Sequence, residues 1–92
     1  MDLMSYDKEL AAVDAALQHD DATLDKLVSD PSEDVRVFVA KAARPQDLDK
    51  LVSDPAVLVR AAVARYGRPE DRQKLASDPS PIVRAQVVRG GN

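Results

Sequence analysis

The sequence predicts an all-α fold, a short α-solenoid made of 24-residue repeats. Between the first and second copies of the unit 15 of 24 positions are identical, and between the second and third 11 of 21. Every copy contains Ser-Asp-Pro followed by Val-Arg at the same spacing, and no stretch alternates polar and apolar residues as a strand would. We therefore expect a single domain, residues 1–92, with repeats at 24–47, 48–71 and 72–92.

Residues 1–23 look like a degraded copy that has lost the Asp-Pro and the arginine. Ser5 is placed to cap a helix predicted over 6–18, in which Leu10 and Val13 recur at helical spacing. Terminal repeats of a solenoid have one face in water and differ from the others. We therefore interpret this segment as an N-terminal capping unit.

The Ser-Asp-Pro motif predicts the start of a longer helix in each repeat. Proline suits the first helical position, because its missing N–H would have no partner there, and the aspartate before it can cap the exposed amides. The first such helix is expected to run from Pro31 to about Ala43, where Arg44-Pro45 ends it. The residues expected to be buried are Val35, Val39, Ala42, Val59, Val63, Tyr66, Val83 and Val87.

A second, shorter helix is predicted after each Arg-Pro pair, over residues 45–52 and 69–76. Such a segment barely makes two turns, so a 3₁₀ helix is an alternative for part of it. Its expected buried residues are Leu48, Leu51, Val52, Leu75 and Ala76.

The repeats carry the motif LxxLxxDPxxxVRxxVA, formed in the second copy by Leu48, Leu51, Asp54, Pro55, Val59, Arg60, Val63 and Ala64. With its 24-residue period, the motif resembles the leucine-rich repeat variant family and, more loosely, the HEAT-type α-solenoids, whose units are longer. The resemblance covers residues 24–92 and implies a right-handed superhelix of alternating α and short 3₁₀ helices. It does not bring the family's cysteine-ligated iron–sulfur cluster, because the chain has no cysteine.

Composition and motifs favour a binding protein over an enzyme. The formal net charge is −3, and neither a signal peptide nor a long apolar run is present, so we expect a cytoplasmic protein without membrane contact. No glycine-rich phosphate loop or nucleophile motif occurs, so no catalytic, cofactor or metal site is expected. His19-Asp20-Asp21 is the one grouping that could suggest a metal, and we interpret it as a turn that caps the next helix.

Two sets of charged residues recur with the period. We interpret the Asp-Pro…Arg pairs as a structural ladder, in which each aspartate caps its own helix and each arginine binds a neighbouring repeat. The alternative is an arginine stripe for phosphate or carboxylate ligands. The ladder residues are Asp30, Arg36, Asp54, Arg60, Asp78 and Arg84.

The second set is basic and lies late in each longer helix, where positive charge complements the helix dipole. The functional alternative is a basic edge that follows a nucleic-acid backbone, against which the acidic columns Asp25/Asp49 and Asp47/Asp71 argue. The residues of this basic edge are Lys41, Arg44, Arg65, Arg68 and Arg89.

We expect a non-catalytic module that binds another protein, with a nucleic-acid-associated module as the alternative. Positions under purely structural demand should repeat, yet Glu33-Asp34 becomes Val57-Leu58 and then Pro81-Ile82. This change predicts an exposed apolar patch or, alternatively, apolar side chains that pack on the preceding repeat. The C-terminal end of the array is a further expected contact surface, for a partner or for self-association. The candidate partner surface is Val57, Leu58, Ile82, Val87 and Val88.

Overall fold

A computed structural model describes Gln18 and residues 20–90 of the chain. Over this part the chain forms six α-helices and no strand, which confirms the predicted all-α class. The predicted helix over 6–18 lies outside the described residues apart from Gln18, as does most of the capping unit. The helices are α1 (Asp21–Leu27), α2 (Glu33–Ala42), α3 (Pro45–Leu51), α4 (Val57–Tyr66), α5 (Pro69–Leu75) and α6 (Pro81–Gly90).

The three longer helices pack side by side, with α4 between α2 and α6. Small buried residues on α4, including Ala61, Ala62 and Ala64, allow close packing. At Gly90 the backbones of α6 and α4 are close, because a Cβ at this position would collide with the carbonyl oxygen of Ala64. The absence of a side chain at Gly90 thus allows the two helices to come close together.

The shorter helices join the longer ones and contact both neighbours: α3 packs on α2 and α4, and α5 on α4 and α6. Both begin at the proline of an Arg-Pro pair, as predicted, and both are α-helical rather than 3₁₀. Ala76 is exposed, so its predicted burial was wrong. It lacks the γ-methyl groups with which Val28 and Val52, at the equivalent positions, join the core.

The longer helices begin later than predicted. Helices α2 and α4 start two residues after the proline, with Ser32 and Ala56 as their N-caps, and α6 starts at Pro81. The reason is a tight turn, in which the Asp54 carboxylate accepts a hydrogen bond of 2.9 Å from the amide of Ala56. The aspartates of the other two repeats make the same bond and likewise hold the proline outside the helix. The aspartate therefore closes the preceding turn and is not the helix N-cap.

The core follows the predicted helical spacing except at one aromatic residue. The predicted core valines Val35, Val39, Val59, Val63 and Val83 are fully buried, while Ala42 and Val87 are half-buried. Tyr66 is 44% exposed, so its predicted burial was wrong. Its ring lies beside two cations, 5.7 Å from Lys41 Nζ and 5.8 Å from Arg65 Cζ, at the surface of α4.

Candidate functional site

The Asp-Pro…Arg residues connect successive repeats. The Arg36 guanidinium binds the Asp54 carboxylate through Nε at 2.8 Å and Nη2 at 3.2 Å, and its Nη1 donates to the carbonyl oxygen of Asp30 at 2.7 Å. Arg60 makes the same bonds one repeat further on, to the Asp78 carboxylate at 2.8 and 3.3 Å and to the carbonyl oxygen of Asp54 at 2.8 Å. The structure therefore places these side chains at the contact between repeats.

In the third repeat Arg84 Nη1 donates to the carbonyl oxygen of Asp78 at 2.6 Å, and no carboxylate among the described residues pairs with it. Asp78 is buried, and the hydrogen bond from Arg60 holds the pKa of its carboxyl below the usual range. The guanidinium groups of Arg36 and Arg60, unlike that of Arg84, use their hydrogen bonds within the molecule. Little of the alternative arginine stripe is therefore available to phosphate or carboxylate ligands.

Two members of the predicted basic edge are also engaged by carboxylates. Arg44 binds Asp47 through Nε at 2.6 Å and Nη2 at 2.9 Å, and Nη2 also reaches Asp25 at 2.8 Å. Its Nη1 donates to both the carboxylate and the carbonyl oxygen of Asp21 at 3.2 Å. The guanidinium thus joins α3 to α1 of the preceding repeat.

Arg68 occupies the equivalent position between α5 and α3. It binds Asp71 through Nε and Nη2, both at 2.9 Å, and Asp49 through Nη2 at 2.6 Å. Burial alone would raise the pKa of Asp71, but the hydrogen bonds from the Arg68 side chain and amide outweigh burial and lower it. Arg44 and Arg68 thus bind members of the acidic columns Asp25/Asp49 and Asp47/Asp71, a pairing that the sequence pattern did not reveal.

The three other basic residues form a separate row along one side of a groove. The groove has a volume of about 430 Å³ and crosses the faces of α2, α4 and α6. Lys41, Arg65 and Arg89 contribute one cation from each helix, and none of them forms a salt bridge with a carboxylate in the described part of the chain. We call these three residues the cationic row. The predicted basic edge is therefore divided into a structural pair and an available row.

The rest of the groove is largely apolar. Leu58 and Ile82 line it and are 50% and 53% exposed, and Asp34 stands at their position on α2. Val37, Ala61 and Ala62 also line it, and Tyr66 and Gln86 complete the lining. The groove therefore offers one apolar side and one cationic side, and we take it as the candidate functional site.

The predicted partner surface is likewise divided. Leu58 and Ile82 lie in the groove, whereas Val57 and Val87 are half-buried and pack against the core. Val88 is 73% exposed on α6 and does not line the groove. Self-association through this C-terminal helix stays a prediction.

The acidic turn before α1 acts as a cap. Asp20 accepts hydrogen bonds from the hydroxyl of Thr23 at 2.7 Å and from its amide at 3.3 Å, and these bonds lower the pKa of Asp20. His19 lies outside the described residues. Within the described residues, no three His, Cys, Asp or Glu side chains are grouped so that they could hold a metal ion.

Comparison of the chain with models of known protein families, with curated proteins and with solved structures finds no match. Of the helices in residues 20–90, none has the length and apolar character that a membrane span requires.

Proposed function

We propose that the chain is a short right-handed α-solenoid of the leucine-rich repeat variant type, and that it is a non-catalytic module that binds another protein through the groove. The repeat architecture is supported by contacts that recur at equal sequence separations. Arg36 reaches the aspartate 18 residues ahead, and so does Arg60. Arg44 and Arg68 each reach the aspartate 19 residues behind. Equal contacts between successive units are expected of a stacked array.

The observation that carries the binding function is the exposure of large apolar side chains in a concave, charged setting. Leu58 and Ile82 are half-exposed next to each other on adjacent helices, beside the cationic row. Exposed apolar surface bordered by polar groups is typical of protein interaction sites, because covering it removes apolar area from water. A protein partner is the occupant that can cover both sides of the groove.

A catalytic role is not part of the proposal. The most deeply buried carboxylates, Asp47 and Asp71, accept bidentate hydrogen bonds from arginine. The lowered pKa of Asp71 keeps it ionised at neutral pH, so it has no proton to donate. Its lone pairs are directed at Arg68, so it is also a poor base.

Affinity capture tests the proposed function. The full chain is immobilised, nuclease-treated lysate is passed over it, and retained proteins are identified by mass spectrometry. The groove variant is Leu58→Asp with Ile82→Asp, and the matched control is Val88→Asp, which changes an exposed apolar residue outside the groove. Circular dichroism checks that all three chains are equally helical.

We expect a set of proteins that the wild type and the control retain and that the groove variant loses. Retention of the same proteins by all three chains would contradict the use of the groove. Proteins that are retained from untreated lysate but not from nuclease-treated lysate would instead favour the nucleic-acid alternative.

A further inference from the structure

We propose that the segment that occupies the groove is an acidic, apolar peptide segment of the partner protein. This inference rests on the proposed function and adds the chemistry of the partner. It follows from the arrangement of charge and apolar surface across the three longer helices.

The cationic row sets the charge of the occupant. Lys41, Arg65 and Arg89 are 24 residues apart in sequence and lie on α2, α4 and α6, which pack side by side. Packed helices lie about 8–10 Å apart, so the row presents three cations over roughly 20 Å. No carboxylate of the described residues forms a salt bridge with these three cations, so they can pair with carboxylates of a partner.

The apolar side of the groove determines the second property of the occupant, its apolar side chains. Leu58 precedes Arg65 by seven residues on α4, and Ile82 precedes Arg89 by seven residues on α6. Seven residues are about two helical turns, or roughly 10 Å along the helix. A segment that lies across the helices therefore meets cations on one side and apolar side chains on the other.

Three other residues that line the groove add detail to the expected chemistry of the occupant. Ala61 and Ala62 project only a methyl group, so the occupant's backbone can approach α4 closely. Asp34 takes the place of the apolar residue on α2 and adds a single negative charge at that end. We therefore expect the apolar residues of the partner to lie over α4 and α6, not over α2.

The same features favour a protein over a nucleic acid. A phosphate backbone would use the cations but would not cover Leu58 and Ile82, and it would be repelled by Asp34 and by the net charge of −3. Arg44 and Arg68 are held by carboxylates, so three of the five residues of the predicted basic edge, those of the cationic row, remain for phosphates.

The test uses four labelled synthetic peptides of equal length, built from glutamate and leucine, glutamate and serine, glutamine and leucine, or lysine and leucine. Each is titrated with the full chain by fluorescence anisotropy. We expect the glutamate–leucine peptide to bind tightest, by about tenfold over each of the others, which corresponds to roughly 1.4 kcal/mol. Its affinity should fall as salt is raised, because the ion pairs are exposed.

The variant Arg65→Glu should lower the affinity for the glutamate–leucine peptide about tenfold and raise the affinity for the lysine–leucine peptide. The matched control Lys50→Glu makes the same change in net charge on α3, outside the groove, and should change neither affinity. Thermal melts confirm that both variants are folded.

Equal binding of the glutamate–leucine and glutamine–leucine peptides, or equal effects of Arg65→Glu and Lys50→Glu, would overturn the inference. If groove-dependent protein capture persists in that case, only the chemistry of the partner is wrong. If capture by the groove also fails, the proposed function fails with it. A duplex DNA or RNA oligonucleotide that binds more tightly than every peptide would replace the protein partner with a nucleic acid.

Discussion

Two sets of basic residues lie close together in the chain and have opposite environments. Lys41 and Arg44 are three residues apart, as are Arg65 and Arg68, and both sets recur every 24 residues. The Arg44 side chain is only 10% exposed and contacts three carboxylates. Lys41 is exposed, and its ammonium contacts the rings of Phe38 and Tyr66.

The difference follows from where each side chain leaves the backbone. Lys41 lies in the last turn of α2 and lines the groove, whereas Arg44 is the N-cap of α3 and faces the joint between two short helices. Carboxylates are abundant at the joint, but among the described residues Asp34 is the only carboxylate that lines the groove. A basic residue that recurs in each repeat therefore forms an internal salt bridge where the adjacent repeat places a carboxylate opposite it. Where no carboxylate lies opposite, the residue stays available to a partner.

The largest expected effect concerns the arginines that are held by carboxylates. Replacing Asp47 with alanine leaves the Arg44 guanidinium without its bidentate partner in a largely buried site, so we expect a loss of about 3 kcal/mol in the free energy of unfolding. The control Lys41→Ala should change it by less than about 0.5 kcal/mol. Urea unfolding measures both, and equal losses would contradict the distinction.

A smaller effect is expected at the ladder. Because Arg36 and Asp54 bind each other directly across two repeats, a double-mutant cycle with alanine at each position should give a coupling energy of about 1–2 kcal/mol. The same cycle between Arg65 and Asp54, which share no bond, serves as the control. If both ladder variants melt at the wild-type temperature and yet abolish partner binding, the residues are a binding site and not a ladder.

Acid should destabilise the fold, because it protonates the aspartates that bind arginine. The pKa values of Asp71 and Asp78 are lowered in the folded chain, so the unfolded chain binds more protons as the pH falls below its aspartate pKa of about 3.9. Their contribution to stability is complete above that value and is lost as the pH falls through the folded pKa. Urea unfolding between pH 7 and pH 3 should show this loss, and Asp78→Asn should reduce its slope.

The smallest expected effect concerns nucleic acid. Five phosphate contacts by the predicted basic edge would give a log–log salt slope of about −4 to −5 with duplex DNA, whereas the cationic row alone allows at most about −2.7. We therefore expect weak binding at low salt that is negligible at physiological salt. A slope near −4.5 would mean that Arg44 and Arg68 exchange their carboxylates for phosphates.

Much of the fold could be predicted from local patterns. Val35, Val59 and Val83 recur at one position of the repeat, and each is fully buried. The short helices begin at Pro45 and Pro69 as expected, because proline fixes the backbone in a way that suits a helix start. The start of the longer helices was predicted two residues too early, because proline also suits the turn that the aspartate before it closes.

The candidate site could be predicted only in part. Leu58 and Ile82 were identified because they depart from the repeat, and both lie in the groove. Val57 departs from it in the same way but is half-buried against the core. Tyr66 was expected inside by its spacing, yet its ring lies at the surface beside Lys41 and Arg65, which come from two different helices.

The sequence by itself determined the 24-residue period, the positions of the helices and most of the core, since proline geometry and helical spacing act over a few residues. Only the tertiary structure decided which charges are paired between repeats. Each arginine that is engaged contacts a carboxylate 18 to 23 residues away, so its pairing depends on how successive repeats pack. The groove depends on the same packing, because its apolar and cationic sides are each assembled from more than one helix.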